Sequence, residues 1–90
     1  SCEEKVTQGR QFYADGELDA AELCYREALR LRPDDARACY HLGVMLRVSG
    51  RLDEAVEVLE IAAADNDFSD QQKAVELLTR IRNPGTIRTI

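Results

Sequence analysis

The single histidine, His41, is where a catalytic triad or a metal site would have to be built. Cys39 lies two residues before it, a separation that points the two side chains toward different faces of a helix. Cys2, Cys24 and Cys39 are an odd number without metal-type spacing, which fits reduced thiols better than a disulfide framework. Cys24 and Cys39 read as small buried apolar residues, and Cys2, close to the chain end, as exposed. No serine or cysteine stands in a nucleophile motif, and no glycine loop is arranged to cradle a phosphate. The abundant carboxylates fall on outward positions and read as a solvated face. The chain is therefore expected to have no enzymatic activity, no cofactor and no metal.

What positions these residues is a repeat. Gly9, Gly16, Leu18, Asp19, Ala21 and Ala28 recur unchanged 34 residues later as Gly43, Gly50, Leu52, Asp53, Ala55 and Ala62. Self-similarity at a fixed period of this length marks stacked supersecondary units. Apolar residues at helical spacing, interrupted at Asp15-Gly16, Arg32-Pro33, Ser49-Gly50 and Asn83-Pro84-Gly85, predict helices over 3–14, 18–31, 36–48, 52–64 and 70–82. Asp34 and Asp35 precede the third helix, where acidic side chains can accept from free N–H groups, and Ser69 with Gln72 predicts a capping box for the fifth. Gly9 facing Ala21, and Gly43 facing Ala55, would let paired helices approach closely, with Phe12, Tyr25, Leu46 and Leu59 filling the remaining volume.

These residues resemble the tetratricopeptide repeat. Gly9, Phe12, Gly16, Ala21, Tyr25, Ala28 and Pro33 fall on that family's pattern, and Leu42, Gly43, Leu46, Gly50, Ala55, Leu59 and Ala62 repeat it. Asp67 stands where the family places proline, and Cys39 where an aromatic is usual. The resemblance implies an all-α fold, a right-handed α-α superhelix of two helix-turn-helix repeats and one capping helix. On that reading residues 1–82 are one domain, with repeat one at 2–35, repeat two at 36–69, a capping helix at 70–82 and a tail at 83–90. Lys5 and Gln8 in the first helix, and Lys73, Glu76 and Arg80 in the fifth, make both ends look finished, as a complete miniature domain would. The other reading is a piece of a longer array, since two repeats fall short of the usual minimum of about three.

The same resemblance implies a concave wall lined by the first helix of each repeat, holding a segment of a protein partner. Carried over, it comprises Glu3, Val6, Arg10 and Tyr13, then Arg37, Tyr40, Val44 and Arg47, then Gln71, Ala74 and Leu78. Tyrosine with arginine offers large contact area and forked hydrogen bonds, so the implied ligand is an extended or helical peptide bearing carboxylates. The clamp that some family members use for chaperone tails would need Lys, Asn, Asn, Lys and Arg. Val6, Arg10, His41, Gln71 and Val75 stand there instead, so that activity is not expected.

With 17 acidic against 12 basic residues the net charge is -5. This argues against a nucleic-acid binder, which would carry a basic stripe. No apolar run reaches the roughly 18 residues of a membrane span, and no secretory signal is visible, so a soluble, cytoplasmic protein is expected. The function expected is that of a non-enzymatic adaptor or scaffold. The alternative is a self-associating structural module, a homo-oligomer joined through its edge helices or through the tail, where Ile87 and Ile90 alternate with polar residues.

Overall fold

The computed structural model describes residues 1–83, and the tail beyond, including Ile87 and Ile90, lies outside the described residues. Five helices follow in order: α1 (Cys2–Ala14), α2 (Leu18–Leu31), α3 (Ala36–Val48), α4 (Leu52–Ala64) and α5 (Gln71–Arg82). No strand occurs among the described residues, so the all-α expectation holds. α1 pairs with α2 and α3 with α4 as hairpins, α3 also packs on α1 and α2, and α5 closes against α4.

The two hairpin turns are built alike. Gly16 and Gly50 adopt φ of 80° and 81°, the left-handed region where a side chain is strained and glycine is not. Around them the amide of Glu17 donates to the carbonyl of Phe12 and that of Gly16 to Tyr13. Arg51 and Gly50 repeat the pair on Leu46 and Arg47. This six-to-one and five-to-two pattern satisfies the free carbonyls of a helix end and turns the chain back sharply. Arg32, in extended conformation before Pro33, ends α2, and Asp65 ends α4, its Oδ1 accepting from the amide of Asp67 at 2.9 Å.

Close approach within each hairpin depends on the absent side chains of Gly9 and Gly43, but not against the alanines expected. A Cβ at Gly9 would lie 2.5 Å from Cε1 of Tyr25, and one at Gly43 would lie 2.5 Å from Cγ of Leu59. The second helix thus presses a large side chain into the gap that each glycine leaves. Ala21 and Ala55 are fully buried one turn away.

The core runs through all five helices, and α3 contributes most of its length to it, with Ala36, Ala38, Cys39, Leu42, Gly43, Met45 and Leu46 buried. Its central position follows from contact with α1, α2 and α4 at once. Phe12, expected to fill the core, is 39% exposed. Its counterpart Leu46 is enclosed because α3 packs against α1, α2 and α4 at once.

Two other expectations change. Cys2 is buried, and its thiol donates to Oδ2 of Asp35 at 3.1 Å, while Oδ1 of the same carboxylate caps α3 by accepting from the amide of Ala38. The capping box lies on α1, between Ser1 and Glu4; α5 begins after Asp70 with no side-chain cap. Asp70 occupies the capping position itself, which displaces Ser69 from it.

Candidate functional site

Of the wall residues inferred from sequence, α1 and α3 supply those that reach solvent. Arg10 and Arg47 are exposed, while Tyr13, Arg37, Tyr40 and Val44 are partly exposed, the two tyrosines and Val44 packing on the core with one side. Positions 37, 40, 44 and 47 follow helical spacing, so these side chains form one stripe along α3. Glu3 is exposed at the start of α1.

Three expected wall residues are enclosed instead. Val6 is 1% exposed, Leu78 6% and Ala74 0%. All three belong to the buried core, so they bear on neighbouring helices and not on an open wall. Gln71 is partly exposed, but its amide donates to the carbonyl of Ala63 at 2.7 Å and to Oδ1 of Asn66 at 3.0 Å. It ties the α4–α5 connection and has little capacity left for a ligand.

Between α1 and α3 lies a group that the repeat pattern did not mark. The His41 ring stacks on Tyr25 of α2, with centroids 6.1 Å apart at 19°, and meets Tyr40 edge-on at 5.4 Å. Tyr40 in turn contacts Phe68, at 5.9 Å, from the connection before α5. Tyr25 was legible as a core residue at a repeat position. Phe68 lies in a connection, where helical periodicity carries no signal.

Burial is the main reason that the His41 pKa falls to about 4, and the charges of Arg10 and Arg37 depress it further against a smaller opposing effect from Asp70. The imidazole is accordingly neutral at neutral pH. Burial also pushes the Tyr25 hydroxyl up to about 12 and the Cys39 thiol up to about 11. The Cys2 thiol is raised by burial and by its bond to Asp35. Neither thiol has the lowered pKa of a reactive cysteine. Among the described residues no three His, Cys, Asp or Glu side chains are grouped to hold a metal ion. No helix there is long and apolar enough to cross a membrane.

The charges of this stripe are unanswered within the described residues. Arg10, Arg37 and Arg47 make no ion pair or side-chain hydrogen bond there, although Arg37 shares a surface depression with Asp34, Asp35, Asp65 and Phe68. The opposite situation holds between α2 and α4. Arg51 donates through both terminal nitrogens to Glu22, at 2.8 and 3.0 Å, and through Nε to Glu54 at 3.0 Å. Arg26 joins the same two carboxylates at 2.8 and 3.0 Å.

The sequence profile of the tetratricopeptide repeat matches residues 6–70, from within α1 to the residue before the closing helix. The chain belongs to this family. Tetratricopeptide repeats mediate protein–protein interaction. The peroxisomal targeting signal receptor of Candida albicans is 45% identical to it over 49 residues, which are 54% of this chain and 8% of that protein. The chain thus spans a small part of the relative's length. No solved structure matches it.

Proposed function

We propose that this tetratricopeptide repeat domain is a non-enzymatic adaptor that binds an acidic peptide segment along the face formed by α1 and α3. The observation that carries this reading is that Arg10, Arg37 and Arg47, each without an ion pair among the described residues, stand on this face beside partly exposed Tyr13, Tyr40 and Val44. Arginine beside half-buried tyrosine gives a ligand both a forked hydrogen-bond donor and a rigid apolar surface. The chain is acidic overall, so three cations without internal partners make this face locally complementary to carboxylates. The relative named as a targeting signal receptor supports recognition of a segment belonging to another protein.

Binding of synthetic peptides rich in glutamate and leucine, measured by titration calorimetry, tests this reading. Tight binding lost on charge reversal at Arg37 and Arg47, with circular dichroism unchanged, is the expected result. Equal binding by the double variant would remove the arginines from the site. Light scattering at two protein concentrations gives the companion check, because an adaptor stays monomeric until its partner is added.

A further inference from the structure

We infer that the outer side of α2, through Leu23, Arg30 and Leu31, docks one amphipathic helix of a second protein. This goes beyond the reading above and uses none of its residues. Leu23 and Leu31 are 67% and 59% exposed, so the fold does not enclose them. Residues 23, 27, 30 and 31 follow the i, i+4, i+7, i+8 spacing of one helix face, and the two leucines flank a charged centre along about 12 Å of axis. Beside Leu31 lies a depression of about 200 Å³, lined also by Lys5, Glu27 and Arg30, with room for one large apolar side chain.

The repeat does not ask for this face. Glu57, Ala64 and Asp65 stand 34 residues after Leu23, Arg30 and Leu31, although α4 forms the same half of its hairpin. Leucines that hairpin packing leaves in water gain free energy when another molecule covers them. Charge selects that molecule. Arg30 makes no ion pair or side-chain hydrogen bond among the described residues, and Glu27, one turn before it, is held by Lys5 at 3.0 Å. A carboxylate set between two apolar side chains of the partner meets Arg30, while those side chains cover Leu23 and enter the depression beside Leu31. The occupant is a helix because α2 spends its own amides and carbonyls internally and offers no backbone pairing to an extended segment. A helix satisfies its own backbone and presents apolar groups at matching intervals of two turns.

The probe is a synthetic peptide of about 15 residues, stapled as a helix, with leucines two turns apart and a glutamate between them. Titration followed by backbone-amide NMR is expected to move Lys5, Leu23, Glu27, Arg30 and Leu31 while Arg37, Tyr40 and Arg47 stay in place. Leu23→Ser with Leu31→Ser is expected to weaken the probe at least about tenfold, with the thermal midpoint unchanged because both side chains are exposed. Replacing the probe's glutamate by lysine should weaken it on the wild type and restore it on Arg30→Glu, a reversal that apolar contact alone does not produce. Shifts absent from α2, or a lysine probe that binds both proteins alike, would overturn the docking face. A mass that doubles with concentration without probe, and reverts in the leucine variant, would overturn it by making a second copy the occupant. Binding along α1 and α3 is read from Arg37 and Arg47 in the same spectra, so each surface stands or fails by itself.

Discussion

Two charged surfaces of the same small domain handle their arginines in opposite ways. Between α2 and α4, Arg26 and Arg51 close on Glu22 and Glu54 in a ring of hydrogen bonds that spans the two repeats. Along α1 and α3, Arg10, Arg37 and Arg47 make no ion pair among the described residues. A side chain whose charge is matched within the fold contributes to stacking the repeats. One whose charge is unmatched adds no ion pair to the fold. The difference separates a structural face from the proposed recognition face.

The sharpest break comes from the layer that supports the recognition face. Tyr25 fills the gap over Gly9 and carries His41 on its ring, so Tyr25→Ala is expected to lower stability by about 3–5 kcal/mol, measured by urea denaturation. A loss below about 1 kcal/mol would show that Tyr25 does not hold the two hairpins in register. Gly43→Leu, which forces a side chain onto Leu59, should cost about 1–3 kcal/mol, read as a drop in thermal midpoint. An unchanged midpoint would contradict the close approach of α3 and α4.

Smaller effects distinguish the faces directly. Arg37→Glu with Arg47→Glu should weaken an acidic peptide at least about tenfold, equivalent to about 1.4 kcal/mol, while leaving the thermal midpoint in place. Arg51→Ala should do the reverse, lowering the midpoint slightly without touching affinity. Its effect should fade at about 1 M salt, because exposed ion pairs are screened. A binding defect in Arg51→Ala would erase the contrast between the faces.

A separate set of effects is that of pH. The Glu22 pKa is lowered chiefly by its bond to Arg51, so the stability it provides is present above the ordinary carboxylate range and is lost as pH falls through its folded value. His41 has a depressed pKa too, about 4 against an ordinary 6.5, so the unfolded chain binds a proton first and stability falls between those values on acidification. Glu22→Gln should flatten the first dependence and His41→Gln the second, in denaturation curves recorded across the acid range. An unaltered pH profile in either variant would detach that group from the linkage.

The 34-residue period made the helices legible to within a residue, because glycine and proline at its corners dictate the turns and apolar spacing dictates what lies between. It did not reveal which side chain meets each glycine. Side chains lean along a helix, so the partner of Gly9 is Tyr25, one turn from Ala21, and only the crossing geometry selects between them. The Ser1–Glu4 capping box is written in the sequence as serine followed three residues later by glutamate, and the same kind of signal at Ser69 was outcompeted by Asp70. The burial of Cys2 depends on Asp35, 33 residues away, and no local pattern carries that information. The solvent-reaching stripe along α3 was legible, but Val6, Ala74 and Leu78 are enclosed by neighbouring helices that periodicity alone does not position.

The most direct test of the contrast is a heteronuclear NMR titration of the domain with a glutamate-rich peptide, following every backbone amide. The account predicts shifts concentrated at Arg10, Tyr13, Arg37, Tyr40 and Arg47, with Glu22, Arg26, Arg51 and Glu54 unmoved. Shifts centred on the α2–α4 network, or none on α1 and α3, would contradict it.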